Sequence, residues 1–134
     1  MRAVSRVPRD EQSDGFTLIE LLVVVVIIGI LVAIAIPLYM TYERSSESAS
    51  AKADVRQAVT VISRCSDDNQ GIIPASATES GSTVSFAGCT EQARLSSGNS
   101  LTYVKTSASS YTVTVTNAPS GVTHTYDSST GTVS

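Results

Sequence analysis

The chain has 134 residues, 42% of them hydrophobic, two cysteines and a formal charge of -3, which leaves room for one small domain and an apolar segment but not for two independent cores. Nine Lys and Arg stand against twelve Asp and Glu, and the basic residues are scattered singly, so the clustered charge that binds nucleic-acid phosphates is missing and no direct nucleic-acid binding is expected. A single histidine, His124, lies near Asp127 with no preferred nucleophile among the many Ser and Thr, which argues against an enzyme.

Residues 1–15 are polar, with Arg2, Arg6 and Arg9 balanced by Asp10, Glu11 and Asp14, and read as a leader without its own fold. A secretory signal would place its apolar stretch before the cut. Here the apolar stretch follows it: from Phe16 to Ile36 only Thr17 and Glu20 carry polar side chains. As a helix this segment spans roughly 30 Å, enough to cross a bilayer core. Glu20 does not suit a plain anchor, because a carboxylate within a membrane span costs about 2.5 to 3.5 kcal/mol at the helix centre and less near an end. We therefore delimit a leader at 1–15 and a hydrophobic helix at 16–37.

Beyond Pro37 the pattern becomes amphipathic. Ala51, Val55, Ala58, Val59, Ile62 and Cys65 fall within an arc of about 120°, with Lys52, Arg56, Gln57, Thr60 and Arg64 outside it and Val61 as the exception. This predicts a helix over 38–66 that stops at the turn signal Asp67-Asp68-Asn69-Gln70-Gly71. The remainder, 67–134, is a Ser/Thr-rich head. Tyr111, Val113 and Val115 alternate with Thr112, Thr114 and Thr116, as strands do. Strands are expected near Leu101–Thr106, Tyr111–Thr116 and Val122–Tyr126, with a short edge strand at Thr132–Val133. They form an antiparallel meander whose apolar face packs on Val55, Val59 and Ile62. Ile72 to Ser100 reads as loop, with short elements around Val84 to Phe86. The fold class is α+β, one long N-terminal helix packed against a small C-terminal antiparallel sheet.

Cys65 and Cys89 suggest one disulfide in an oxidising compartment, with two free thiols as the alternative. A bridge would contribute roughly 3 to 4 kcal/mol through the loop it closes. Asp67, Asp68 and Asn69 before Gly71 lack the remaining ligands of a calcium loop. No metal site and no cofactor is expected.

The segment GFTLIELLVVVVIIGILVAIAIP, Gly15 to Pro37, resembles the N-terminus of a type IV prepilin. The resemblance rests on a polar leader ending in Gly15, Phe16 after it, Glu20 four residues on, Gly29 within the apolar helix and Pro37 at its close. It covers about the first third of the chain, and the rest agrees only in outline. It implies cleavage between Gly15 and Phe16 by a membrane-embedded prepilin peptidase, methylation of the new Phe16 amine, and assembly of a helical homo-oligomeric filament by the pilus assembly platform. The subunit would sit in the cytoplasmic (inner) membrane before assembly and in an extracellular filament after it, serving adhesion, motility or DNA uptake. This leader is acidic as well as basic, unlike the short basic leaders common in the family.

The residues themselves supply reasons for such roles. Gly15 leaves its carbonyl accessible, and cleavage would create a cation one helical turn from Glu20. A carboxylate in an apolar bundle needs a cationic partner, for which a neighbouring subunit's Phe16 amine is the candidate. The alternative is a self-capping Glu20 that satisfies its own helix N-terminus. Both can hold in turn. Gly29 and Pro37 weaken the helix. The membrane-bound subunit should keep this stretch largely helical, with a kink near Ala33 to Pro37, and a break between Gly29 and Pro37 is expected in the filament.

Rival functions are a type II secretion pseudopilin and a minor pilin acting as a binding module. The missing acidic calcium loop after Ser107 disfavours the first, and the lack of a basic patch the second. Electron conduction is disfavoured because the helix has only Phe16, Tyr39 and Tyr42 before Cys65.

Overall fold

The computed structural model describes residues 15–134. The expected leader therefore lies outside the described residues, apart from Gly15. The chain divides into two compact units with the boundary between Leu38 and Tyr39.

Helix α1 runs over Leu18–Asp68. Its first part is apolar on every side, with large hydrophobic side chains at least 46% exposed from Phe16 to Ile36. A helix hydrophobic all round needs a membrane or other helices to cover it, and α1 is long and apolar enough to cross a bilayer. Gly29 and Pro37 lie inside α1 without ending it. The expected break concerned the packed filament. In the single chain, helical bonding remains the best way to satisfy the backbone around Pro37.

In the second unit one face of α1 is buried through Ala51, Asp54, Val55, Ala58, Val61, Ile62 and Cys65. Val61 is buried and Val59 only partly so, the reverse of the expected partition. The buried arc keeps its width of about 120° but is turned by about 40° towards Val61 and Asp54. The helix also continues past Cys65 to Asp68, where the Asn69 side chain donates to the Cys65 carbonyl at 2.9 Å. Gln70 and Gly71 then take positive φ, and the Gly71 N–H closes the end on Ser66 O at 2.8 Å.

The first sheet, of which only β2 lies where a short element was expected, comprises β1 (Ala77–Ser80), β2 (Thr83–Phe86) and β3 (Gln92–Arg94) as an antiparallel meander. The second comprises β4 (Asn99–Lys105), β5 (Tyr111–Asn117), β6 (Thr123–Asp127) and β7 (Thr132–Val133), also antiparallel and in chain order. These four correspond to the expected strands within one or two residues at each end. Along β5 the buried side chains are Tyr111, Val113, Val115 and Asn117, as the two-residue period of a strand requires. On the opposite face Thr114 meets Thr125 at 3.0 Å and Thr116 meets Thr123 at 3.1 Å. Glu79 of β1 accepts the Leu101 N–H of β4 at 2.8 Å, joining the two sheets.

A buried polar chain crosses the apolar core. Asp54, 4% exposed, accepts from Ser96 N–H at 2.7 Å, Ser96 Oγ at 3.0 Å and Asn99 Nδ2 at 2.7 Å. Asn117 Nδ2 donates to Asn99 Oδ1 at 2.8 Å, and Asn117 Oδ1 accepts from Ser120 N–H and Oγ. Asn99 and Asn117 are register partners on β4 and β5. The network thus ties helix, loop, two strands and the β5–β6 turn at one level. Gly98 beside it has φ +82°, and a side chain there would meet the Pro119 ring at 3.2 Å, so only glycine suits the position.

Phe86, Tyr103, Tyr111 and Tyr126 form a row with ring centroids 5.7, 5.7 and 6.0 Å apart. Burial, and after it the neighbouring Tyr126, push the Tyr111 phenol up to about 12, while a hydrogen bond with Ser63 opposes the shift. An unfolded tyrosine ionises near about 10. Between these values the unfolded chain releases a proton that the fold retains, so this contribution is complete below about pH 10 and is lost as pH rises towards 12. Burial raises the Tyr103 phenol as well, so alkaline absorbance titration should find two of the five tyrosines ionising late, together with loss of head circular dichroism. All five ionising together near pH 10 with the fold intact would contradict this.

Candidate functional site

The start of α1 is built by its own side chains. Thr17 is the residue before the helix, and Glu20 lies in the first turn. The Glu20 N–H donates to Thr17 Oγ1 at 3.3 Å, while Glu20 Oε2 accepts from Thr17 N–H at 2.9 Å and Thr17 Oγ1 at 2.8 Å. This reciprocal arrangement satisfies two backbone donors that a helix N-terminus leaves open. Glu20 caps its own helix, one of the two roles weighed for it. Among the described residues, the carboxylate's hydrogen bonds all fall on Oε2. Thr17 was not singled out from the sequence, although Thr-x-x-Glu before an apolar run is the signature of this cap.

Gly15 and Phe16 lie outside the helix in exposed, irregular backbone, and Phe16 is 84% exposed. Together with Thr17 and Glu20 they line a shallow open depression. The peptide bond between them is therefore clear of helical hydrogen bonding, while the carboxylate stands one turn away. Gly29 and Pro37 are on the same helix but not at this site, and the cysteines lie in the other unit. There Cys65 and Cys89 form a disulfide with Cα atoms 5.3 Å apart, joining the end of α1 to the loop after β2. The Asn69 side chain bridges the same two segments, donating to Cys65 O and to Gly88 O.

Residues 12–36 match the family model of the prokaryotic N-terminal methylation motif. The chain is 51% identical over 51 residues to the type IV major fimbrial protein FimA of Dichelobacter nodosus, covering 38% of this chain and 33% of that protein. Over its N-terminal third the chain is similar to type IV pilins. It is also 47% identical over 49 residues to the type IV major pilin protein PilA of Myxococcus xanthus, covering 37% of this chain and 22% of PilA. A further relative is the type II secretion system core protein G of Pseudomonas aeruginosa, 40% identical over 58 residues, 43% of this chain and 41% of that protein. The matched segment thus spans about a third or less of the fimbrial protein and PilA. No solved structure matches the chain. The segment that matches the family model is the one that holds Gly15, Phe16, Thr17 and Glu20.

Proposed function

We propose that this chain is the structural subunit of a type IV pilus. It is cut between Gly15 and Phe16 by prepilin peptidase, methylated at the Phe16 amine, held in the cytoplasmic membrane by residues 16–37, and then polymerised by the assembly platform into an extracellular filament. The observation that carries this reading is a helix apolar on all sides whose only carboxylate before Glu43 sits in its first turn. Lipid tails can cover the apolar surface before assembly, and the same helices of other copies can cover it afterwards.

Glu20 has a reason to be there in both settings. Its Oε2 serves the chain's own cap, while Oε1 takes no donor among the described residues and can accept the Phe16 ammonium of a neighbouring copy. Self-capping and pairing between subunits are then simultaneous rather than successive. A type II secretion pseudopilin is the second reading, supported by the likeness to core protein G. Filaments shed from the cell surface separate the two.

The test is mass spectrometry of the N-terminal peptide from sheared surface material. It should begin at methylated Phe16. Gly15→Val should leave full-length precursor in the membrane and reduce processed protein by about tenfold or more, because a branched side chain then crowds the scissile carbonyl. Sheared filaments that still carry residues 1–15 would overturn the reading.

A further inference from the structure

In the unit that begins at Tyr39, Arg64 and Glu91, 3.3 Å apart, make the only ion pair among the described residues. Earlier on α1 in this unit, the pair Glu43 and Glu47 and the pair Lys52 and Arg56 make no salt bridge with any described residue, and neither do Arg44 or the buried Asp54. Each pair has i, i+4 spacing and stacks on one helix face. Nine residues separate the pairs, which is two and a half turns. The acidic and basic pairs therefore lie about 180° apart around the axis and about 13.5 Å apart along it.

Each pair borders a concavity formed with the second sheet. Glu43 and Glu47 line one of about 210 Å³ with Pro119 and Ser120 of the β5–β6 turn, and Arg44 on the same rim offsets one of their charges. Lys52 and Arg56 line one of about 510 Å³ that also presents the apolar Val59, Tyr126 and Val133.

We propose that the basic groove receives the acidic pair of a second copy of this chain, displaced by about 13.5 Å along the helix. The equal spacing within the two pairs lets Glu43 meet Lys52 and Glu47 meet Arg56 in register. Docking would cover Val59, Tyr126 and Val133 beside the charges, which lowers their exposure to water and strengthens the attraction beyond that of an exposed pair. Because the complementary patches lie on opposite faces, the contact is heterologous: each added copy presents a new acidic face and a new basic face, so growth continues without closure. The inference rests on the pilus-subunit reading and names the surface that sets the stagger between copies.

The test uses full-length chains in producing cells, with sheared surface filament measured against membrane-bound subunit. Lys52→Glu with Arg56→Glu, and separately Glu43→Lys with Glu47→Lys, should each lower filament yield by about tenfold or more through like-charge contact. Both should leave the membrane-bound amount unchanged. All four substitutions together should restore the filament, an outcome that simple misfolding of either double variant cannot produce. Normal yield from either double variant, or failure of the combined exchange to restore it, overturns the pairing while the subunit reading stands. Absence of filament from the unaltered chain overturns both.

Discussion

Replacing Asp54 by alanine is expected to destabilise the head by about 2 to 4 kcal/mol, because three donors converge on this carboxylate: the buried Asn99 amide loses its shortest acceptor, and the two donors of the exposed Ser96 lose a charged one and must turn to water. A domain of this size has only about 5 to 15 kcal/mol of net stability. The loss is therefore a large fraction of the total, and the variant should melt well below the parent or fail to accumulate. No cation neutralises Asp54 among the described residues. The charge is held by the dipoles of Ser96 and Asn99 alone. Asp54→Asn keeps an oxygen acceptor and should cost less than alanine. Thermal denaturation of the full chain in detergent, followed by circular dichroism, checks both, and an alanine variant that melts like the parent would show that water replaces the carboxylate without loss.

Glu20→Val is expected to give processed, membrane-inserted protein with filament yield lowered by about a hundredfold. Breaking a buried charge pair from one side leaves the other charge uncompensated, at a cost of about 3 to 5 kcal/mol per contact. About 1.4 kcal/mol already changes an association constant tenfold. Valine also removes the cap, which alone costs the helix about 1 kcal/mol. Glu20→Gln separates the two effects, since glutamine can still accept the Thr17 N–H but carries no charge for a Phe16 amine. If the pairing reading is right, the glutamine variant should also assemble poorly. Normal filaments from Glu20→Gln alongside failure of Glu20→Val would assign the residue to capping alone.

The parts legible in the sequence were those whose physics is local. Phe16 to Ile36 announces itself because an unbroken apolar run needs no tertiary context to interpret. Strand β5 did so because Tyr, Val and Thr alternate with a clean two-residue period. Strands β1 and β3 left no such trace: Ala77–Ser80 has no buried side chain and Gln92–Arg94 has one. They are held by pairing to β2, a tertiary effect that overrides weak propensity. Asp54 was equally hidden. An aspartate among Lys52 and Arg56 reads as a solvated helix face, and Asn99 and Asn117 read as turn residues. Only the register that sets Asn99 opposite Asn117 turns three polar side chains into one core element.

The Cys65–Cys89 bond also bears on how the subunit responds to pulling. Tension entering along α1 reaches Cys65 and passes directly through sulfur to Cys89, a sequence separation of 24, bypassing the segment that includes β1 and β2. That segment cannot unravel under load, and extension is left to the chain on either side of it. The slack withheld is roughly 80 Å per subunit. Single-molecule stretching should show unfolding steps longer by about that amount in Cys89→Ser than in the oxidised parent, and steps of equal length would mean that this segment carries no load in either form. A fibre of such subunits would yield by small, recoverable lengths instead of running out strand by strand.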